Sequence, residues 1–363
     1  MLFDHDEDLP PVAKLLEAYL SLERSEKAPL NAFGPPIAYE WWREGRDFEA
    51  EILLVQRIMP PAFRAMLADE LGLAYVCGVD PLAVPSGSRS PRWQTMCEGL
   101  YRIHEMPAIE RVAFLALLMS LGYYELVFEL SRLSLAELEV PPDVDHALAY
   151  ASASARYIIS INQKSYDPFD LVLVAQRARP GSRAHFLASS RLLMFYGRFR
   201  RDSKNGRHWR ECNKESLDEL GAGTSEFTRA VLASRYWRSA SLLPLVEEDL
   251  DNAWEEMACA EKYARAVQPT TEQEAVLARA NLYPVLQSKA RLAQLIGNHD
   301  LALLCIEEMC RLDLYYSTAF VDLGHARLAV GDRTTALAAF KRATRLGPPA
   351  ALIAQFMAEH CED

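Results

Sequence analysis

Apolar residues recur along this chain at three- and four-residue intervals from end to end, and alternating Val/Ile/Thr runs bounded by hairpin dipeptides are missing. Residues 10–24 place Val12, Leu15, Leu16, Tyr19 and Leu22 on one helical face, with proline in the first turn, where its missing N–H is harmless. The same periodicity predicts a helix pair at 47–58 and 60–72, broken at Met59-Pro60-Pro61, and then a Pro/Ser/Gly-rich linker over 79–92. Helices come next at 93–104, 107–121 and 122–137, and another runs to Ile161 after Pro141-Pro142-Asp143. A shorter one starts near Pro168, a longer one covers 182–200, and Asn205-Gly206 reads as a turn. Further helices are expected at 208–220, 224–242, 246–266, 271–296, 299–312, 317–330, 333–346 and 349–360. Such a series, joined by short loops, makes an all-α, stacked chain.

The densest pattern lies at 317–350. Two amphipathic stretches meet at Gly331-Asp332, small residues fall at Gly324, Ala336 and Ala343, and large ones at Phe320, Leu323 and Phe340. Gly324 and Ala336 have almost no side chain, so their helices can approach closely, and Ala343 does the same toward the next helix. Pro348 cannot donate an N–H, so it ends one helix and can open another. This segment resembles the tetratricopeptide repeat (TPR), a 34-residue helix–turn–helix unit. It departs from that pattern at Arg327, where the family prefers a large, usually aromatic residue. One period upstream, 283–316 is a weaker copy with Leu286, Ala290, Ala293, Gly297-Asn298, Ala302 and Ile306 in place, departing at Lys289 and Met309. A third, degenerate unit falls over 224–268, where Ala253, Met257 and Ala260 keep the second-helix spacing although the length differs.

The resemblance implies an α-solenoid of stacked antiparallel helix pairs, TPR-like at its C-terminal end, with a groove that binds a protein or peptide segment without catalysis. Fewer than three repeats cannot close a core, so the upstream helices are expected to continue or cap the stack. The organisation then reads as an N-terminal helical region or cap at 1–80, irregular helical pairs at 93–223, and TPR-like repeats with a capping helix at 224–363.

Composition narrows the function classes. Half of the residues are apolar and a quarter charged, the profile of a well-cored chain. A net charge of −11 argues against general nucleic-acid binding, which needs cations to displace counterions. The acidic start MLFDHDEDLPP lacks the apolar segment of a signal peptide, and the apolar runs at 111–124 and 171–176 are interrupted too soon to span a bilayer. Seven scattered cysteines read as reduced thiols in a cytoplasmic protein rather than a disulfide framework or zinc site. No cofactor, metal ligand or catalytic residue is expected. His104-Glu105 lacks the second histidine of a zinc helix, Asp143, Asp145 and His146 read as helix-start chemistry, and no phosphate loop or nucleophile elbow occurs.

One basic island interrupts the acidic chain. Between Arg177 and Lys214 stand eleven Lys/Arg against Asp202 and Glu211. Arg191 and Arg198 are seven apart and share a helix face. Arg200, Arg201, Arg207 and Arg210 cluster around Asn205-Gly206 beside Trp209. Guanidinium forks pair with carboxylate or phosphate and aromatics offer stacking surfaces, so the island suits an acidic peptide, a phosphorylated group or a single-stranded nucleic acid. The alternative is that these arginines neutralise acidic neighbours inside the stack. The leading expectation is a non-catalytic scaffold or adaptor holding an acidic or phosphorylated protein partner. A ligand-responsive TPR-type regulator and an all-helical enzyme or accessory protein stay open beside it.

Overall fold

In this computed structural model, residues 91–120, 123–131, 144–221, 223–313, 316–346 and 351–362 are described, with 41, 46, 82 and 86–89 upstream. The helices expected at 10–24, 47–58 and 60–72, and the repeat-closing Pro348, lie outside the described residues. The described residues are helical almost throughout and include no strand. In chain order the helices are α1 (Pro91–Arg102), α2 (Ala108–Ser120), α3 (Tyr124–Ser131), α4 (Val144–Asn162) and α5 (Phe169–Arg177). Next come α6 (Arg183–Phe195), α7 (Ser203–Gly221), α8 (Glu226–Ala240), α9 (Leu242–Val246) and α10 (Leu250–Ala266). The last are α11 (Glu272–Leu295), α12 (His299–Leu312), α13 (Ser317–Ala329), α14 (Arg333–Leu346) and α15 (Ala351–Glu362).

The chain divides into two compact units. One comprises Ala38–Leu54 and Arg102–Asn281, the other Met1–Ile37, Val55–Tyr101 and Leu282–Asp363. The division falls inside α11, just before Pro284, which removes an N–H from the middle of that helix.

In the first unit, sequence neighbours pack as pairs: α3 on α4, α5 on α6, α6 on α7, and α8 on α10. Helices α4, α6 and α8 also touch in turn, so they form one layer. Leu171 and Val174 on α5, three apart, share a buried face, whereas α6 is buried on nearly all sides, with Phe186 and Phe195 on opposite ones. In the second unit α12, α13, α14 and α15 pack successively around Leu286, Ile306, Phe320, Leu323 and Phe340.

A single turn design recurs three times. Gly297 and Gly331 have φ of 75° and 81°, and Glu248 takes the same left-handed conformation at 61°. Glycine adopts it without steric cost; glutamate does not. The next residue caps the helix beyond the turn each time. Asp249 accepts the Asn252 N–H, Asn298 that of Leu301, and Asp332 that of Thr335, all at 3.1 Å. That hydrogen bond, with the Thr335 hydroxyl, holds the Asp332 carboxyl below the usual aspartate range. From each cap, the residues four, eight and eleven positions on face the core. They are Ala253, Met257 and Ala260; Ala302, Ile306 and Met309; and Ala336, Phe340 and Ala343, all buried. The unit at 224–268 therefore keeps the repeat register. Its extra length is α9, which stands between the two helices of the pair in sequence and buries Leu243 and Pro244.

The repeat contacts arise from these positions. A β-carbon added at Gly324 would overlap the Phe340 ring, so only glycine lets α13 and α14 approach as they do. Arg327, the departure from the family pattern, is occupied electrostatically instead. Its guanidinium pairs with Glu307 on α12 and with Asp332 Oδ2 at 3.2 Å, joining the turn to the preceding helix.

One expectation is corrected. Asn205-Gly206 is not a turn but lies inside α7, which begins at Ser203. The reversal falls earlier, at Arg201 with φ 50°, and Asp202 caps α7 by accepting the Asn205 N–H at 3.1 Å. Gly206 serves packing: a β-carbon there would press on Leu243 at 3.0 Å.

Candidate binding site

The basic island divides between two places in the first unit. Arg191 lies on α6. Arg198 and Arg200 lie on a π-helical turn, Tyr196–Arg200, that continues α6, and Arg201 comes next in the left-handed conformation. Arg207, Trp209 and Arg210 lie on α7.

The α7 residues are committed internally. Arg207 donates to Glu247 Oε1 from Nε at 2.9 Å and from Nη2 at 2.5 Å. Arg210 donates to Glu256 Oε1 at 2.5 Å, which ties α7 to α10. Lys214 pairs with Asp218 one turn on. Burial raises the Glu256 carboxyl, partly offset by Arg210. Trp209 is buried, with its ring against His208, so it packs the helix and offers no open stacking face. Arg207, Arg210, Lys214, Asp218 and Glu247 line a surface groove of about 620 Å³ with Tyr236, in which charges of both signs mix.

The α6 residues are arranged differently. Arg191 Nε donates to the Tyr150 hydroxyl on α4 at 2.7 Å. Arg198 has its guanidinium 5.5 Å from the Phe199 ring, and Arg200 reaches the Tyr166 carbonyl at 3.4 Å while lying 5.7 Å from the Phe195 ring. On α8, Arg238 Nη2 rests 4.0 Å from Met194 Sδ, which sits between Arg191 and Arg198 on the α6 face. Ser190 and Ser239 meet at 3.4 Å and hold α6 and α8 together there. Among the described residues Arg198, Arg200, Arg201 and Arg238 form no ion pair with a carboxylate. By contrast Arg156 on α4 is matched by Asp170 at 3.1 Å and Asp167 at 3.6 Å.

The electrostatics reflect this. Burial pushes the Arg238 guanidinium down to about 10, and the charge of Arg198 adds to the effect. Burial pushes the Tyr157 hydroxyl up to about 12 against the opposing pull of Arg191 and Arg198. Asp202, the nearest acid in sequence, forms no ion pair with these arginines; its oxygens accept from Asn205, and those hydrogen bonds lower its pKa and keep it ionised.

Sequence reasoning missed Arg238, Tyr150 and Tyr157. One signal was present: Tyr150 and Tyr157 are seven apart, like Arg191 and Arg198, so two parallel stripes face each other on neighbouring helices. Arg238 carries no comparable signal and becomes visible only when α8 packs on α6.

Among the described residues no group of three or more His, Cys, Asp or Glu side chains gathers as a metal site would, and no helix is long and apolar enough to cross a membrane.

The fold is thus that of a TPR-like helical-repeat protein, all-α and built as an α-solenoid of adjacent helix pairs. By sequence the chain matches no family model and no curated protein. By structure it is similar to the crystal structure of yeast Tom70, a TPR-repeat protein, with a TM-score of 0.51 at 14% identity. The match covers 99% of this chain and 66% of that one, so the chain spans about two thirds of the length of Tom70.

Proposed function

We propose that this is a non-catalytic helical-repeat scaffold or adaptor that binds a protein or peptide segment and anchors an acidic partner on Arg191, Arg198, Arg200, Arg201 and Arg238. The observation that carries the reading is a set of arginines without carboxylate partners among the described residues, Arg198, Arg200, Arg201 and Arg238, whereas Arg156, Arg207, Arg210 and Arg327 are each matched. Arg198, Arg200 and Arg201 are exposed, so their charges are open to a partner, and Arg238, partly buried beside them, would be stabilised by an incoming anion. The likeness to Tom70 supports the repeat architecture on which a protein-binding role rests. Arg207, Arg210 and Trp209 support the site by fixing α7 rather than by touching the partner. A reducing, cytoplasmic setting belongs to the same reading, supported by Cys310 and Cys361 buried as thiols.

The test is to pan short random peptides against the native chain and against the triple variant Arg198→Glu, Arg200→Glu, Arg201→Glu, with circular dichroism as a check on folding. Peptides selected by the native chain should be rich in Asp and Glu and should bind less tightly as salt rises. The triple variant should bind them at least about tenfold more weakly, with a flatter salt dependence. Equal binding by a folded variant overturns the acidic anchor. Failure to select any peptide overturns the scaffold.

A further inference from the structure

Beside the α4–α6–α8 layer of the first unit, Arg198, Arg238 and the Tyr157 hydroxyl meet no carboxylate among the described residues. Tyr150 accepts from Arg191, so its own proton is directed elsewhere. Tyr157 is only 6% exposed, yet among the described residues its hydroxyl has no hydrogen-bond partner. A phenol is protonated near neutral pH, so that hydroxyl is a donor, and its burial only reinforces this. Among the described residues the Arg238 guanidinium donates to the thioether of Met194, a weak acceptor. The charge of Arg198 reaches both Arg238 and Tyr157.

The backbone beneath this cluster is unusual as well. Arg198 is carried on a π turn that ends in a non-glycine residue at φ 50°. Gly197 lets that turn lie against α9, since a β-carbon there would meet Leu242 at 2.9 Å. On the other side Tyr166, itself at φ 52°, stacks on Phe199 with ring centroids 5.3 Å apart. Conformations of this kind persist where surrounding packing enforces them, and they concentrate at binding sites.

A single carboxylate brings two oxygens and one charge, which suits one guanidinium fork. Several mutually repelling guanidiniums with a phenol donor call for more oxygens and more charge in one compact group. A phosphomonoester supplies three terminal oxygens and a charge of about −1.5 to −2.

We propose that Arg191, Arg198 and Arg238, with the Tyr157 hydroxyl, form a receptor for the phosphoryl group of a phosphoserine or phosphothreonine on the partner. This rests on the scaffold reading above and adds the chemistry of the anchor. Arg198 and Arg238 clasp the phosphoryl oxygens, Tyr157 donates to a third, and Arg191 contributes charge while orienting Tyr150.

The experiment uses the full chain and three labelled pools of short peptides with randomised flanks, carrying phosphoserine, glutamate or serine at one fixed position. Fluorescence anisotropy is read with and without inorganic phosphate as competitor. The phosphoserine pool should bind at least about tenfold tighter than the glutamate pool and be displaced by phosphate. Arg198→Gln should abolish that preference. Arg238→Lys, which keeps the charge but loses the fork, should reduce it while leaving the circular dichroism unchanged. Equal binding of the phosphoserine and glutamate pools overturns the phosphoryl receptor and leaves the acidic scaffold standing. A phosphoserine preference that survives both substitutions in folded protein overturns this site. If no pool binds, while acidic peptides selected by panning still do so through Arg198, the receptor alone falls; if panning also fails, both readings fall.

Discussion

Gly324 on α13 lies directly against the Phe340 ring on α14, with no room between them for a β-carbon. Gly324→Ala should therefore destabilise the second unit by about 1–3 kcal/mol through overpacking, even though alanine favours a helix by about 1 kcal/mol. Phe340→Ala should cost about 3–5 kcal/mol. Combining Gly324→Ala with Phe340→Leu should cost less than the sum of the two, because the smaller side chain makes room for the methyl. Urea midpoints for the single and double variants give the coupling.

The helix boundaries in this region were legible in the sequence because local and tertiary signals coincide. A residue able to take positive φ, an Asx cap and a small residue four positions later all fall in order at 297–302 and 331–336. At 248–253 the spacing from Ala253 onward was legible, but the turn and cap at Glu248-Asp249 were hidden by a glutamate where glycine is expected and by the insertion of α9. Asn205-Gly206 misled because that dipeptide's turn preference is local, whereas Asp202 caps the helix around it and Leu243 packs on Gly206.

The two halves of the basic island should respond differently to mutation. Arg210 and Glu256 are a partly buried pair, and Arg210→Ala should lower stability by about 1–3 kcal/mol because it leaves Glu256 without its partner. Arg207→Ala, in a more exposed pair with Glu247, should cost about 0–1 kcal/mol. Trp209→Phe should destabilise without altering peptide affinity. Thermal melts alongside binding curves separate these effects from those at Arg198 and Arg238. From the sequence the island read as one patch. Only the fold, which brings Glu256 on α10 to Arg210 and packs α8 on α6, shows which arginines already hold a carboxylate.

His185 is a pH reporter for the same region. Its Nδ1 lies 2.6 Å from Ser216 Oγ, and burial pulls the imidazole below its ordinary pKa despite Glu215 and Glu219. The folded chain therefore resists a proton that the unfolded chain takes up. The stability contributed by neutral His185 is complete above the ordinary histidine range. It is lost as pH falls through that range toward the depressed folded value. His185→Gln should flatten the decline in melting temperature over this window. A decline as steep as that of the native chain would remove His185 as its cause.

Glu274 acts in the carboxylate range. Desolvation opposes its ionisation, but the Thr270 N–H and hydroxyl, and Arg46 at 2.9 Å, outweigh it and hold the carboxyl low. Its contribution is present above the ordinary glutamate range and is lost on acidification through the depressed folded value. Melting temperatures of the native chain should fall more steeply there than those of Glu274→Gln.

The π turn at Tyr196–Arg200 makes the direction of its arginines a matter of length. Removing one residue from it would convert the turn to ordinary helix and rotate the downstream residues by about 100°. Two related chains could thus share every arginine of this segment and aim them at different partners. In comparing such chains, the position of a gap carries more meaning than the letters on either side of it.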